Sequence, residues 1–596
     1  MASLPAQFFS TALPNSHPLN KHTTPLAVWN SDHLLKSYLA GCDEPPSNVD
    51  VELLKGRALM FRYRMFELDA QRIRIAAEGR ISMEVDRELA SILYKRKLLL
   101  WMTFPILELP SEILTIIFRY VVWSSLGADQ ANLHRLRLSW VCRRFRQIAL
   151  GDQTLWNSIW FRDSFPWERS FTFIERSGTS YLDLRINEKE RRPGEQANPT
   201  HPAITVPQID LILDVILPKI SQIRILVVIV EREDVAERFV SRFSTAGYPA
   251  LLERYEVHRS GKPYLWPHEK ATGFGGQYPL SVFPTPKLRW LSLNGIPLDW
   301  TKFNPANLRT IDLRRMPLQA CPTSTRWTEM LEASPWLYKL SLDAAGPQWS
   351  PTRLQAARRI NLPNLRDLLI GDVSCLFGMY MLAHINAPDV MSLSLMHLTG
   401  QDYTQLIQLL TGMFPKLRLL AMWTVETPTE EDNLRVVVRW LESMPRLKML
   451  KIAEMKRFIL DAFYVDPTRF WSNEQTELYA EKWKEQHGDI DIVPPVLLPE
   501  LQYLYFQAQK DDDVSSLIKG RKRIGKPFTR AFMPDVNSRW VEQIGLQAEI
   551  AEIEKEVDLS VVFHQVVSPI EEEIQEEMAA TQVPGHSHPY RPYAAR

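Results

Sequence analysis

A short leucine pattern recurs through the second half of the chain and constrains its fold more than any other feature. Eight six-residue units carry a large apolar residue at their first, fourth and sixth positions, and successive units start 20, 29, 28, 25, 27, 30 and 54 residues apart. A proline stands two residues ahead of seven units and three residues ahead of the other one. The units begin at Leu288, Leu308, Leu337, Leu365, Val390, Leu417, Leu447 and Leu501.

The pattern indicates a stack of short strands. Successive side chains of a strand point to opposite faces, so the fourth and sixth positions share one face that can be buried. The proline ends the preceding helix, because the residue before a proline disfavours the helical conformation. Stacked units bury a continuous core that no single unit could bury.

This LxxLxL core and its spacing resemble those of leucine-rich repeats, whose period is roughly 20–29 residues. The resemblance implies an irregular α/β solenoid, which we assign to residues 165–515. The asparagine that usually closes each turn is absent from most units. A doubly wound α/β domain is the alternative, since it also alternates strands and helices, but it would lack the fixed phase.

The longest gap between units contains an insertion at about 457–495. It is rich in aromatic residues and has a helical pattern around 474–486. An insertion in a solenoid maps to a loop on one face, which is often the binding face. The alternative is that its aromatic side chains cap the last repeats.

Ahead of the repeats, residues 104–162 have the pattern of a small helical domain. Pro110 suits the first turn of a helix, where its missing N–H costs little, and Glu112 lies where the helix dipole favours a negative charge. Apolar residues recur at helical spacing through the rest of this helix. A second helix is predicted over 133–149. So short a unit cannot bury all of its apolar surface alone, which indicates a partner.

Residues 104–162 resemble an F-box in three strings: Leu109-Pro110-x-Glu112-Ile113-Leu114-x-x-Ile117-Phe118, Val141-Cys142-Arg143-Arg144-Phe145 and Leu155-Trp156. The resemblance implies a three-helix motif that docks on the Skp-type adaptor of SCF ubiquitin ligases and, through it, on cullin. The loop at 124–132 is somewhat longer than usual. An ordinary buried helical hairpin inside a larger domain is the alternative. By this resemblance, the adaptor-binding residues are Leu109, Pro110, Ile113, Leu114, Ile117, Phe118, Val141, Cys142, Phe145 and Trp156.

The flanking regions give weaker signals. Residues 1–48 are rich in Pro, Ser, Thr and Asn, and we predict that they are mostly disordered. Residues 49–103 are predicted to form a helical hairpin or short coiled coil, because their apolar residues step by four and three. Several fungal F-box proteins resemble this arrangement of a charged helix ahead of the box. Such a seam suits packing within the chain or dimerisation.

Residues 516–596 are predicted to form a basic loop, a C-terminal helix over 538–557 and a disordered acidic tail. The basic run at 519–526 fits an exposed charged loop, a nuclear import signal or an anion patch.

The composition argues against several classes of function. Lys plus Arg and Asp plus Glu both total 70, so the overall charge favours neither nucleic acid nor an anionic membrane as a partner. No stretch reaches the roughly 20 apolar residues of a membrane helix, and no secretory signal is recognisable. The four cysteines have no metal-ligand spacing. We therefore expect a cytoplasmic or nuclear protein with no nucleic-acid or membrane partner.

No catalytic motif stands out in the chain. The glycine-rich run at 273–276 does not lie between a strand and a helix, as a phosphate-binding loop would. His586 and His588 stand in a polar tail and form a weak metal signal. We predict a non-catalytic protein without a cofactor or a metal site.

These patterns together favour a substrate-receptor subunit of an SCF-type ubiquitin ligase. The alternative is a repeat scaffold whose F-box acts in a non-ubiquitin assembly. Substrate is expected on the strand face opposite the leucines, where Lys and Arg outnumber acids. This excess favours an acidic or phosphorylated segment, although solvated charges with no specific role are the alternative. The candidate substrate-binding residues are Trp290, Arg309, Lys339, Arg366, Arg418 and Lys448.

Overall fold

The computed structural model divides into two compact units, Met1–Leu155 and Trp156–Arg596. Among the described residues, no helix has both the length and the apolar content needed to cross a membrane. The predicted disordered N-terminus ahead of Asn48 lies outside the described part of the chain. The structure describes residues 48–77, 82–103, 106–125, 128–188, 203–259, 277–349, 359–488, 495–507, 509, 511–534 and 553–562.

The first unit begins with two long helices, α1 (Asn48–Ala77) and α2 (Met83–Thr103). They pack through a small apolar cluster in which Leu68, Val85 and Ile92 are buried. An ion pair of 2.9 Å joins Arg64 on α1 to Glu88 on α2. The helical pattern at 49–103 therefore corresponds to two packed helices, while dimerisation through this seam stays a prediction.

Three shorter helices follow in the first unit: α3 (Ser111–Trp123), α4 (Ala128–Val141) and α5 (Arg143–Gly151). A single helix over 133–149 was the expectation, and it is wrong. The backbone is extended at Cys142 (φ −157°, ψ 173°), and the Cys142 sulfur accepts a hydrogen bond from the Phe145 N–H at 3.5 Å. Cys142 therefore caps α5 and separates it from α4.

An open sheet of fourteen parallel strands forms the second unit. Its strands lie side by side in chain order, and β1 and β16 are the two edges. A separate pair, β8 (Ile360–Asn361) and β10 (Ile385–Asn386), is also parallel. The fourteen strands are β1 (Ser158–Trp160), β2 (Leu182–Asn187), β3 (Ile223–Val230), β4 (Arg254–Arg259), β5 (Trp290–Asn294), β6 (Thr310–Arg314), β7 (Lys339–Asp343), β9 (Asp367–Gly371), β11 (Ser392–Leu398), β12 (Leu419–Val425), β13 (Met449–Ala453), β14 (Tyr503–Gln507), β15 (Arg530–Pro534) and β16 (Asp558–Val562).

Helices of the second unit lie between most of these strands, as the proline-phased pattern predicts, but the described residues between β5 and β6 contain no helix. The α-helices are α6 (Glu168–Arg176), α7 (Val206–Ile216), α8 (Glu233–Thr245), α9 (Ser324–Glu332), α10 (Cys375–Ala383), α11 (Thr404–Leu410), α12 (Glu431–Glu442), α13 (Arg457–Asp461), α14 (Asn473–His487) and α15 (Asp511–Arg523). Short 3-10 helices lie at Ile106–Glu108, Gln153–Leu155, Leu217–Gln222, Leu318–Ala320 and Pro467–Phe470.

The recurring leucines lie where the pattern places them. Leu340, Leu368, Leu393 and Leu420 are on parallel strands in register, and each is at most 2% exposed. The prediction that these four leucines are buried on parallel strands is confirmed. Burial of such side chains is the main favourable contribution to the stability of the sheet.

A repeated backbone feature accompanies the leucines. Two residues after the last apolar position of seven consecutive units, the chain adopts a left-handed conformation with φ between 45° and 65°. Only one of these seven residues is glycine, so the sequence did not reveal the feature. The seven residues are Gly295, Arg315, Ala344, Asp372, His397, Thr424 and Glu454.

The sheet extends past both ends of the predicted 165–515 region. Strand β1 precedes it, and β15 and β16 follow it. The predicted basic loop after 515 is also wrong, because residues 519–523 belong to α15. Arg521 is fully buried and donates hydrogen bonds to the carbonyl oxygens of Phe463, Leu497 and Leu498 at 2.7–3.2 Å. Residues 535–552, which include most of the predicted C-terminal helix, lie outside the described part.

The insertion after β13 contains α13, a 3-10 turn and α14. Its aromatic residues Phe463 and Phe470 are buried, and the Trp471 indole donates to Glu442 on α12 at 2.8 Å. By contrast, α14 has no buried residue. The first part of the insertion therefore packs on the helices of the sheet, whereas α14 is surface.

Candidate protein-interaction surface

Helix α3 is apolar on two sides. Leu114, Phe118 and Val122 recur every four residues and are buried. The other apolar side chains form a second stripe that solvent reaches. On this stripe the exposed fractions are 43% for Ile113, 54% for Ile116 and 65% for Tyr120. A surface helix of a self-contained domain has one apolar stripe, so the second stripe suits a partner.

More exposed apolar side chains lie on the two neighbouring helices. Trp140 and Val141, at the end of α4, are 66% and 43% exposed. Leu133 on α4 and Leu150 on α5 are also exposed. Large aromatic side chains such as Trp140 are enriched among residues that carry most of the binding energy at protein interfaces.

The buried side of α3 packs on α5. The rings of Phe118 and Phe145 tilt against each other with centroids 4.8 Å apart. Hydrogen bonds near the two ends of α3 also hold it against α5. The Arg144 guanidinium donates to the Leu109 carbonyl oxygen at 2.6 Å, just before α3 begins. These contacts fix the orientation in which α3 presents its exposed stripe.

A bidentate ion pair holds the C-terminal half of α3. Arg119 donates from Nε and Nη2 to the two carboxylate oxygens of Asp152, at 2.8 and 2.9 Å. Asp152 is buried, and it also accepts hydrogen bonds from the Thr154 backbone N–H and hydroxyl. Paired bonds of this kind carry geometric specificity as well as energy. The pair ties α3 to the end of α5.

The residues expected to bind an adaptor fall into three groups. Pro110, Ile113 and Val141 are exposed, and Leu109, Ile117 and Cys142 are half-buried. The other four expected residues are at most 6% exposed, and their part in adaptor binding stays a prediction. These four are Leu114, Phe118, Phe145 and Trp156.

Trp156 belongs to the second unit, where it packs beside Phe173 at 5.0 Å and beneath Arg176 at 4.7 Å. The exposed side chains of Ile116, Tyr120 and Trp140 are not among the residues expected from the sequence. A helical wheel that separates the stripe of Leu114 from that of Ile113 would have found the first two.

The sheet offers a second surface, on the side opposite the leucine core. Of the six residues expected there, only Trp290 and Lys339 lie within strands. Trp290 lies beneath the Arg254 guanidinium at 4.2 Å, and Lys339 pairs with Asp367 at 2.8 Å. The other four each stand immediately before a strand, at its amino-terminal end: Arg309, Arg366, Arg418 and Lys448.

A polar network occupies this face on β4 to β6. His258 Nε2 lies 2.8 Å from the Ser292 hydroxyl, which donates to Asp312 at 3.0 Å. Arg314 in turn donates to both oxygens of Asp312, at 2.8 and 2.9 Å. Burial lowers the pKa of His258, which favours the neutral ring. Burial alone would raise the pKa of Asp312, but the Arg314 charge outweighs it and lowers that pKa.

On β4 to β9, the cations of this face are therefore paired with carboxylates of the same face. Arg254 donates to Glu256 at 2.6 and 2.9 Å, in addition to the pairs of Arg314 and Lys339. Asp367 raises the pKa of Lys339, which favours the protonated ammonium. Cations held in this way have little capacity left for a phosphate group.

The described residues contain no group of three or more His, Cys, Asp or Glu placed to hold a metal ion. The glycine-rich run at 273–276 and the two tail histidines lie outside the described part of the chain.

Comparison with known families bears on the first surface. Residues 106–162 match the family model described as F-box-like. This segment is an F-box-like domain. The match begins at the 3-10 turn before α3 and ends just beyond β1. F-box domains typically bind Skp-type adaptors in SCF ubiquitin ligases, and F-box proteins are generally non-catalytic receptors. No curated protein matches the chain.

Proposed function

We propose that this protein is a substrate-receptor subunit of an SCF-type ubiquitin ligase. The F-box-like domain docks on the Skp-type adaptor and, through it, on cullin, while the parallel sheet presents the substrate. The observation that carries the proposal is the second apolar stripe of α3, which stays exposed inside a domain of the F-box-like family.

The stripe supplies the binding energy of the proposed contact. Fully burying a large apolar side chain is worth about 1.5–3 kcal/mol. Ile113, Ile116 and Tyr120 each keep roughly half of their surface exposed, which a partner would cover. Leu114, Phe118 and Phe145 act behind them by holding α3 on α5.

The sheet, in this proposal, is an irregular leucine-rich-repeat solenoid. Three observations support it: the parallel strands follow chain order, the recurring leucines are buried, and the left-handed residue recurs at one position. A doubly wound domain would instead reverse its strand order at a switch point.

The substrate segment, in this proposal, is acidic or phosphorylated, because arginine and lysine side chains recur at the starts of the strands and arginine binds phosphate through paired hydrogen bonds. Arg309, Arg366, Arg418 and Lys448 stand at the starts of β6, β9, β12 and β13.

A pull-down of the full-length chain tests the adaptor contact. Ile116→Asp is expected to abolish co-purification with the Skp-type adaptor, because it places a charge in the centre of the exposed stripe. Leu478→Asp on α14 is the matched control, since Leu478 is 52% exposed and lies in the other unit. Undiminished recovery of the adaptor by Ile116→Asp would refute this contact.

The alternative function is a repeat scaffold whose F-box-like domain acts in a non-ubiquitin assembly. Both functions include the contact with the adaptor. The same pull-down, repeated with neddylated cullin, therefore distinguishes the ligase receptor from the scaffold. A ligase receptor retains adaptor and cullin together, whereas a scaffold of the second kind retains the adaptor without cullin.

A further inference from the structure

Helix α1 carries a stripe of exposed apolar side chains, which we call the outer seam. Its members follow one another at spacings of four, three, four and three residues. The four large side chains are 49–67% exposed, and the alanine among them is exposed as well. The outer seam comprises Leu59, Tyr63, Phe66, Ala70 and Ile73.

The seam that packs on α2 is a different one. Its residues are buried or half-buried, and they include part of the apolar cluster that joins the two helices. With 3.6 residues per turn, the two seams run along roughly opposite sides of α1. The seam on the α2 side comprises Leu54, Ala58, Phe61, Met65, Leu68 and Ile75.

The spacing of the outer seam favours another helix as its occupant. Alternating steps of four and three residues give the 3.5-residue repeat of a coiled coil, whereas a helix of a globular core repeats near 3.6. Tyr63 and Ala70 take the a positions of this heptad, and Leu59, Phe66 and Ile73 take the d positions. Because α2 already supports α1, association through the outer seam costs little further ordering of the backbone.

Charges beside the outer seam identify that second helix as another copy of α1. In a parallel two-stranded coiled coil, each g residue lies beside the e residue five positions later on the other helix. The g residues are Arg62 and Asp69, and the e residues five positions later are Glu67 and Arg74. Both pairs therefore join opposite charges, and the symmetry of a homodimer forms each of them twice.

The two carboxylates can accept a cation from the other copy. Glu67 is exposed and Asp69 is half-buried. Within the chain, Glu67 pairs with Arg64 at 2.9 Å, and Asp69 lies 4.0 Å from Arg72. Both contacts join residues three apart on the surface of one helix, and exposed pairs of this kind contribute little to stability. A carboxylate has acceptor sites for more than one such partner.

The two cations lie against the outer seam itself. The Arg62 guanidinium is 5.7 Å from the centre of the Phe66 ring, and Arg74 Nε donates to the Ala70 carbonyl oxygen at 3.4 Å. Both arginines are exposed. A guanidinium has five N–H donors, so these contacts are compatible with a further bond to a carboxylate of the other copy.

We propose that the protein forms a parallel homodimer through the outer seam of α1. The five seam residues of each copy pack on those of the other, and the g and e charges pair along both sides. The dimer carries two F-box-like domains and two sheets, so a substrate with two binding segments gains avidity. That consequence rests on the proposed function, whereas the dimer itself does not.

Sedimentation velocity of the full-length chain at micromolar concentration tests the dimer. We expect a dimer for the wild type and a Kd at least ~10-fold higher for Phe66→Ser/Ile73→Ser, which removes two large apolar side chains from the contact. The variant should keep its helix content in circular dichroism, because the cluster between α1 and α2 is untouched. Leu376→Ser on α10 is the control, since Leu376 is 53% exposed and lies in the other unit.

A charge exchange tests the parallel orientation. Arg62→Glu and Glu67→Arg should each raise the dimer Kd about threefold or more, because each places like charges side by side. An equal mixture of the two variants should recover the wild-type Kd, since each then supplies the charge that the other has lost. Recovery in the mixture also shows that both variants are folded. Lys482→Glu on α14 is the control for the change of charge, because Lys482 is exposed.

Three results would overturn the proposal. The first is a wild-type chain that sediments as a monomer throughout the micromolar range, and the second is a dimer that Phe66→Ser/Ile73→Ser leaves intact. The third is a mixture that is no more dimeric than the separate variants, because antiparallel helices would place Arg62 beside Asp69 instead of Glu67. Ile116→Asp should leave the dimer intact, and the seam variants should still bind the adaptor, so this proposal and the proposed function fail separately.

Discussion

Truncating the exposed stripe of α3 should weaken adaptor binding by about two orders of magnitude. The change is the triple substitution Ile113→Ala, Ile116→Ala and Tyr120→Ala. These side chains are 43%, 54% and 65% exposed, so a partner can cover roughly half of each. Half of a full burial value of about 1.5–3 kcal/mol is ~1 kcal/mol per residue. Three residues give ~3 kcal/mol, which is ~100-fold in Kd.

Titration calorimetry of the full-length chain with the Skp-type adaptor measures this loss. The triple variant should keep its folding stability, because the buried stripe of Leu114, Phe118 and Val122 is untouched. Leu376→Ala on α10 serves as a control of similar exposure and should leave the Kd unchanged. A change in Kd below threefold would refute the assignment of the α3 stripe to the adaptor.

Three further predictions concern the folded chain. Leu393→Ala should lower the free energy of unfolding by about 2–5 kcal/mol in denaturant titrations, since the side chain is fully buried. Below pH 6.5 the free energy of unfolding of the wild type should fall more steeply than that of His258→Gln, by up to ~1.4 kcal/mol per pH unit. The reason is that burial lowers the pKa of His258 in the folded chain, so the unfolded chain takes up a proton at a higher pH than the folded chain does. Equal pH profiles of the two proteins would contradict this. Arg119→Ala should destabilise the F-box-like domain and weaken adaptor binding, because it removes the ion pair with Asp152. Arg137→Ala, on the exposed side of α4, is the control and should have neither effect. Thermal melts measure the stability of each variant, and titration calorimetry measures its affinity for the adaptor.

The regular spacing of the leucines predicted most of the sheet, because each strand buries apolar side chains at the same positions. Leu340 and Leu393 share one face of their strands and one position in their units, and the structure places both in the core. The first and last strands were missed because their residues lack the LxxLxL spacing. The left-handed turn residues were also missed, since Arg315, Thr424 and similar side chains give no local signal for a positive φ.

The helical domain shows what periodicity alone leaves open. The pattern predicted α3, but it merged the stripe of Leu114 with that of Ile113, so buried and exposed residues were assigned to one face. The break at Cys142 was missed because the flanking residues are compatible with a helix throughout. The buried Arg521 in α15 was missed because a run of basic residues is usually solvated, and only tertiary packing supplies its three carbonyl partners.

The central claim is that the chain joins a cullin ligase through its F-box-like domain. The direct test mixes the full-length protein with the Skp-type adaptor and cullin and measures the mass of the product by light scattering after gel filtration. The account predicts one species with equal numbers of the three components, which Ile116→Asp dissociates into the free chain and an adaptor–cullin pair. A chain that elutes apart from the adaptor–cullin pair would contradict it.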